Sequence, residues 1–328
     1  MKKKTFSEQH RKVVVVGAGS VGATYSYALA QSGLADEIVL TDRNEDLMKG
    51  QVLDLVHGQP FFPTVIIRSG SSEDYRDAQL VVITAGAAQK PGETRLQLIR
   101  KNADIIGTIA EDIAISGCKG VMLVVSNPVD VLTYVALKRS GWKNGRVIGS
   151  GTVLDSARFR YLLSNYCGID VHNVHAYILG EHGDSEFAAW SMTNVAGINI
   201  DEYCPICGIC SDWKKQRQFT EQQVRDSAYH IINYKGSTQF AVGLAMVRIT
   251  AAILRSQNSV LTVSTMVNSK FGINNVCLSV PCVVSDGGVT RIIESPLSSE
   301  ELTLLTHSAD VLRKAIDEFI LPFSRMGE

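Results

Sequence analysis

A histidine set between glycines, Gly180-Glu181-His182-Gly183-Asp184, is the first place where this chain could do chemistry. Glycines on either side leave room for a ligand to approach an imidazole that titrates near neutrality. The same residues also fit a surface turn. Upstream, Leu154-Asp155-Ser156-Ala157-Arg158 places an acid and a guanidinium on one face if the segment is helical. The pair reads either as an ordinary helix ion pair or as two working groups. In the second reading the acid orients a histidine, and the arginine grips a carboxylate through a two-point fork. The polar stretch 86–95 reads either as a solvated loop or as a mobile lid that carries Arg95 over a site.

Gly17-Ala18-Gly19-Ser20-Val21-Gly22 fits the pattern G-x-G-x-x-G, which is weak evidence on its own. Here it follows Val13-Val14-Val15-Val16 and opens an uncharged segment, and Asp42 ends the next apolar run. In that setting the glycines let the backbone approach a pyrophosphate, helix amides bind it, and the acid holds a ribose hydroxyl pair. A carboxylate at Asp42 repels a 2′-phosphate and so favours NAD over NADP, although Arg43 beside it works the other way.

Positioning such groups requires a rigid scaffold. Apolar runs at 13–16, 37–42, 80–84, 121–125 and 146–149 alternate with helix-length segments. That rhythm predicts an α/β fold, a Rossmann-type doubly wound parallel sheet with helices on both faces. We assign residues 1–150 to this NAD-binding domain and 151–328 to a second, α+β substrate domain. In the second half, 174–179 reads as a strand and 201–226 as loop and exposed helix. Residues 276–285 are β-rich and end at the turn signal Asp286-Gly287-Gly288. The last helix is announced by a Ser298/Glu301 capping box and by Leu302, Leu305, Ala309, Leu312, Ile316 and Phe319 at helical spacing.

Composition narrows the function classes. Of 328 residues, 45% are hydrophobic and 20% charged, which excludes a disordered chain. Lys and Arg (32) nearly cancel Asp and Glu (33), so no basic field recruits nucleic acid. Met1-Lys2-Lys3-Lys4 followed by an uncharged stretch imitates a secretion signal, but Gly17, Gly19, Ser20, Gly22, Thr24 and Ser26 interrupt it. A soluble, cytoplasmic protein without a membrane span is expected. Seven cysteines, an odd count, argue for a reducing compartment. Cys204, Cys207 and Cys210 imitate part of a metal ligand set. No fourth ligand is evident, so an accessible, oxidisable loop is expected and no metal.

Taken together, these motifs resemble, in order and spacing, the L-lactate dehydrogenase family within the lactate/malate dehydrogenases. The likeness runs from Val13 to the terminal helix. It includes Val125-Ser126-Asn127-Pro128-Val129-Asp130, residues 154–160 and 180–186, and Lys235-Gly236-Ser237-Thr238. The resemblance implies an NAD-dependent oxidoreductase that interconverts pyruvate and L-lactate, the last step of fermentative glycolysis, as a homotetramer. It assigns proton transfer to His182, orientation of that imidazole to Asp155, and the substrate carboxylate to Arg158. Arg95 closes with its loop and stabilises charge on the carbonyl oxygen, Asn127 hydrogen-bonds nearby, and Thr238 borders the pocket. Gly17, Gly19, Val21, Gly22, Asp42 and Asn127 hold the cofactor.

Malate-acting relatives carry an arginine where this chain has Gln89, so the resemblance favours pyruvate over oxaloacetate, with cationic Lys90 adjacent. A malate or broader 2-hydroxy-acid dehydrogenase is the alternative within the class. A redox sensor that keeps only the fold should have lost one of His182, Asp155, Arg158 and Arg95, and all are present. Bacterial members of the family also bind fructose 1,6-bisphosphate as an activator through an arginine and a histidine that correspond to Arg160 and His175.

Overall fold

The computed structural model describes residues 10–87, 94–209 and 212–319. The first half runs β1 (Lys12–Val16), α1 (Ser20–Ser32), β2 (Glu37–Thr41), α2 (Glu45–His57), β3 (Ile66–Ser69) and β4 (Leu80–Ile83). It continues through α3 (Arg95–Ile115), β5 (Val121–Val124), α4 (Val129–Ser140) and β6 (Val147–Gly149). Strands β1, β2, β4 and β5 are buried along their whole length, with apolar centres covered on both faces and the polar residues Lys12, Glu37 and Thr41 only at strand ends.

The second half begins with α5 (Val153–Cys167), then short strands β7 (Val174–His175), β8 (Ile178–Leu179), β9 (Phe187–Ala188), β10 (Asn194–Val195) and β11 (Ile198–Asn199). Helices α6 (Ile200–Ile206), α7 (Trp213–Lys235) and α8 (Phe240–Leu254) follow. The chain ends with β12 (Ser259–Leu261), β13 (Ser264–Val267), β14 (Val276–Ser279), β15 (Cys282–Ser285), β16 (Gly288–Ile292) and α9 (Ser299–Phe319).

The main sheet has the order β14-β13-β6-β5-β4-β1-β2-β3. From β3 to β6 all pairs are parallel, and the strand order reverses between β1 and β4. In such sheets the crevice beyond the carboxyl ends of the two strands at the reversal is where ligands bind. Both the Gly17–Gly22 turn after β1 and the segment beginning at Thr84 after β4 open onto that point.

The sheet is not wholly parallel, however. Strands β13 and β14, from the second half of the sequence, add to β6 in antiparallel fashion. Helix α8 also returns to pack on α1, where the Tyr25 hydroxyl meets Thr250 Oγ1 at 2.7 Å. The main core is therefore built from both halves. A smaller core gathers Phe159, Leu163, Val174 and Trp190 between α5 and the β7–β10–β11 sheet.

The expected strand at 174–179 divides into β7 and β8, which pair with β10 and β9 in different sheets. The terminal helix has its capping box, with Glu301 N–H on Ser298 Oγ at 3.2 Å and Ser298 N–H on Glu301 Oε2 at 2.8 Å. Its Leu305, Ala309, Leu312 and Ile316 are buried, whereas Leu302 is partly exposed.

Candidate active site

Helix α5 is bolted to the strand that leads to the histidine. At its first turn Thr152 Oγ1 donates to the Ile178 carbonyl at 2.5 Å, and the Ile178 amide donates to Ser156 Oγ at 2.9 Å. The loop after β8 is then pinned amide by amide to separate elements. Gly180 exchanges both backbone bonds with Ser279 of β14, each 2.9 Å. Glu181 N–H reaches Ser308 Oγ of α9 at 2.5 Å, and His182 N–H reaches Asp130 Oδ2 of α4 at 2.8 Å.

These anchors bring His182 onto Asp155. Its Nδ1 lies 2.6 Å from Asp155 Oδ2, while Arg158 Nη1 donates to Asp155 Oδ1 at 2.5 Å. The two readings of the Asp155/Arg158 pair thus hold at once. Asp155 is 1% exposed. Burial alone would raise its pKa, but the His182 charge and hydrogen bond, with Arg158 behind them, hold it below the usual carboxylate range. Burial likewise works against a charged His182, and Asp155 overrides it, pushing the imidazole up to about 9. Asp155 is therefore the ionised acceptor and Nδ1–H the donor. Nε2 makes no hydrogen bond to the described residues and is the nitrogen left for a substrate.

Two further carboxyl groups surround the histidine. Asp130, 2% exposed, is pushed up to about 6 by burial, against the favourable His182 amide, and its Oδ1 has no partner among the described residues. Glu186 is 6% exposed, and burial followed by the Asp155 charge raises it well above the usual range. Donor atoms of Asp155, His182 and Glu186 lie within 4.8 Å of one another, the only such cluster among the described residues. Sequence reasoning pointed to neither Ser279 nor Ser308, and Glu186 appeared there only as the end of a matched stretch. Asp130 appeared there only as the end of a motif.

The turn after β1 fits a dinucleotide. Gly17 has φ +110°, and a Cβ there would sit 2.7 Å from Ala85 N. A Cβ on Gly22 would collide with the Gly17 carbonyl, which already accepts from Thr84 Oγ1 at 2.9 Å. At Gly19 a Cβ would meet nothing within 4 Å, so this side of the turn is open. Gly19 is also the N-cap of α1 and offers no side-chain cap to the first turn, whose amides, Val21's included, face a position suited to phosphate. Asp42 Oδ2 accepts the Ala18 amide at 2.7 Å, holding the acid against the glycine turn.

Other sequence-derived candidates are less closely joined. Asn127, exposed, follows β5, and Thr238, half-buried, lies between α7 and α8. Neither hydrogen-bonds His182, Asp155 or Arg158 among the described residues. Arg95 is the first residue of α3, where Thr94 and Gln97 form a capping box; its side chain lies outside the described residues. Gln89 and Lys90 also lie outside them.

Arg160 on α5 and exposed His175 on β7 occupy two elements packed together, and buried Arg160 Nε has no partner among the described residues. Cys204 is buried and Cys207 half-buried, with Cys210 outside the described residues. The burial of Cys204 departs from the expected accessible loop because it packs into the smaller core.

Comparison with known proteins agrees with this geometry. Residues 11–149 match the NAD binding domain of lactate/malate dehydrogenases, and residues 152–320 match the family's alpha/beta C-terminal domain. An L-lactate dehydrogenase of Treponema denticola is 60% identical over 312 residues, covering 95% of this chain and 99% of that protein. Among solved structures, the lactate dehydrogenase MGS-M5 from a Medee basin deep-sea metagenome library superposes with a TM-score of 0.92 at 45% identity. It covers 95% of this chain and 99% of its own. The minor L-lactate dehydrogenase of Enterococcus mundtii in its ligands-bound form also gives 0.92, at 39% identity and the same coverage. With both domains matched in order around a histidine held by a buried acid, this chain belongs to the lactate/malate dehydrogenase family.

Proposed function

We propose that the chain is an NAD-dependent L-lactate dehydrogenase that interconverts pyruvate and L-lactate, and that it serves as the last step of fermentative glycolysis in the cytoplasm. The observation that carries the reading is the hydrogen-bonded series Arg158–Asp155–His182, which leaves Nε2 free. When bound, NAD would supply the hydride chemistry. The chain's own residues handle the proton and the carboxylate. Protonated His182 gives its Nε2 proton to the carbonyl oxygen of pyruvate, and in reverse the neutral imidazole takes the proton from the lactate hydroxyl. Asp155 keeps the tautomer correct and stabilises the charged ring. Arg158, with its remaining guanidinium N–H groups, receives the substrate carboxylate in a fork.

Arg95 adds positive charge at the carbonyl oxygen. Asn127 hydrogen-bonds near the same oxygen, and Thr238 borders the pocket. Gly17, Gly19, Val21, Gly22, Asp42 and Asn127 would hold the cofactor, the glycine turn its phosphates and Asp42 its ribose. We divide the chain into an NAD-binding domain, 1–150, and a substrate domain, 151–328. Gln89 excludes oxaloacetate because it offers no partner to a second carboxylate, whose unpaired burial costs several kcal/mol. Arg160 and His175 form the cationic part of a fructose 1,6-bisphosphate activator site in a homotetramer.

The test is oxidation of NADH with pyruvate and with oxaloacetate, each with and without the bisphosphate. A strong preference for pyruvate that sharpens with bisphosphate is expected. A preference for oxaloacetate overturns the assignment of Gln89, and a bisphosphate without effect overturns that of Arg160 and His175.

A further inference from the structure

Glu186 stands just before β9 and brings a carboxylate into the group formed by Asp155 and His182, all within 4.8 Å. It is 6% exposed, and its carboxylate has no hydrogen bond to the described residues. The charged groups around the pair come from several elements. Asp155 and Arg158 face it from α5, Asp130 from α4, and Glu181 from the same loop. Arg225 of α7 reaches the Glu186 carbonyl at 3.4 Å. Asp155 and Arg158 already neutralise each other through their own contact. Within the cluster of three, the imidazole and the Glu186 carboxyl are then left to change charge against each other, with Asp130 as a further carboxyl nearby.

We propose that Glu186 is a positioning residue that acts through His182: once ionised, its carboxylate holds the proton on the imidazole and sets how far into alkaline pH the chain can reduce its substrate. A buried carboxylate this close favours the charged ring, and the charged ring favours the carboxylate, so the two titrate as a pair. With His182 protonated and Glu186 ionised, Asp155, Arg158, His182 and Glu186 carry no net charge among the four of them. When the proton has gone to the substrate, two carboxylates face a neutral ring, which makes the imidazole a strong base for the return reaction.

The inference rests on the lactate dehydrogenase reading, and Glu186→Gln tests it at nearly constant volume. Removing the charge lowers the proton affinity of His182. The alkaline limb of kcat/KM for pyruvate and the acid limb for lactate should both move down by about one pH unit. Glu186→Asp, which keeps the charge, should restore most of the shift. Limbs that stay where the wild-type protein has them overturn the proposal, as does an Asp variant that shifts as far as the Gln variant. Wild-type protein that reduces no pyruvate overturns the lactate dehydrogenase reading instead. An independent readout needs no variant: nuclear magnetic resonance of histidine-labelled wild-type protein should show two inflections in the His182 ring titration. A single inflection overturns the proposal.

Discussion

Asp155 has two carboxylate oxygens, and each holds a different partner: Oδ2 the His182 ring, Oδ1 the Arg158 guanidinium. An acid and an arginine three apart look, in a sequence, like one more helix ion pair. The alternative could not be settled there because the third partner lies 27 positions away. Asp155→Asn separates the roles from the packing. Its amide has only one acceptor oxygen, so either the ring or the guanidinium faces a donor. We expect kcat/KM for pyruvate to fall ~10²–10⁴-fold with the fold retained.

The alkaline limit of pyruvate reduction should fall below that of the wild-type protein, near pH 9, because the charge that raises His182 is gone. Linkage gives the same sign for stability. A histidine raised to about 9 contributes stability fully below its unfolded value, about 6.5, and loses it as pH climbs through about 9. A pH–rate profile and a pH series of unfolding midpoints for the two proteins check both. Matching wild-type and variant profiles would mean that Asp155 only packs.

At the scale of elements, the glycine turn between β1 and α1 separates folding from binding. Gly22 must be glycine because a Cβ would run into the Gly17 carbonyl, and Gly22→Ala should cost ~1–3 kcal/mol of stability. Gly19 has an ordinary extended conformation, with φ −67°, and open space at its Cβ position. Gly19→Ala should therefore cost less than about 1 kcal/mol, yet weaken NADH binding by about tenfold or more as the methyl enters the phosphate position. Thermal unfolding together with fluorescence titration by NADH measures both. Equal losses of stability in the two variants would mean that the turn is purely structural.

Legibility at this scale followed burial. Strands β4 and β5 are apolar throughout, and β1 and β2 are apolar apart from Lys12, Glu37 and Thr41 at their ends, because helices cover both faces, and that made them plain. Strand β3 escaped notice: it is the sheet's edge, Ile66 is 54% exposed, and Arg68 leaves it to pair with Glu37 and Asp74. Residues 174–178 keep a two-residue alternation, with Val174, Ala176 and Ile178 buried, while the backbone partners change from β10 to β9. Side-chain periodicity records which face is covered and is silent about which strand lies alongside.

On the scale of the whole molecule, the histidine loop is held by α4 from one half of the sequence and by β14 and α9 from the other. The motifs revealed the participants, and the pins were hidden because Ser279 and Ser308 are ordinary serines until the chain has closed. Closure also leaves apolar side chains outside. Tyr27, Leu53 and Phe61 are 55%, 56% and 90% exposed around α1 and α2, and Tyr234, Phe240 and Leu244 are 85%, 66% and 64% exposed around α7 and α8. Because α8 packs on α1, these side chains sit on neighbouring helices, where the subunit contacts of the homotetramer proposed above would cover them.

The proposed homotetramer predicts four times the 35.7 kDa chain mass by light scattering, and Phe61→Asp or Leu244→Asp should each lower it. Fructose 1,6-bisphosphate, with phosphates that complement Arg160 and His175, should shift a dilute wild-type sample toward the tetramer. Arg160→Gln should lose that response while keeping the His182–Asp155 contact and the activity measured at high protein concentration. A wild-type protein that stays at the mass of one chain with and without bisphosphate would leave the apolar patches without a partner of this kind, and the regulatory site would have to act within a single chain.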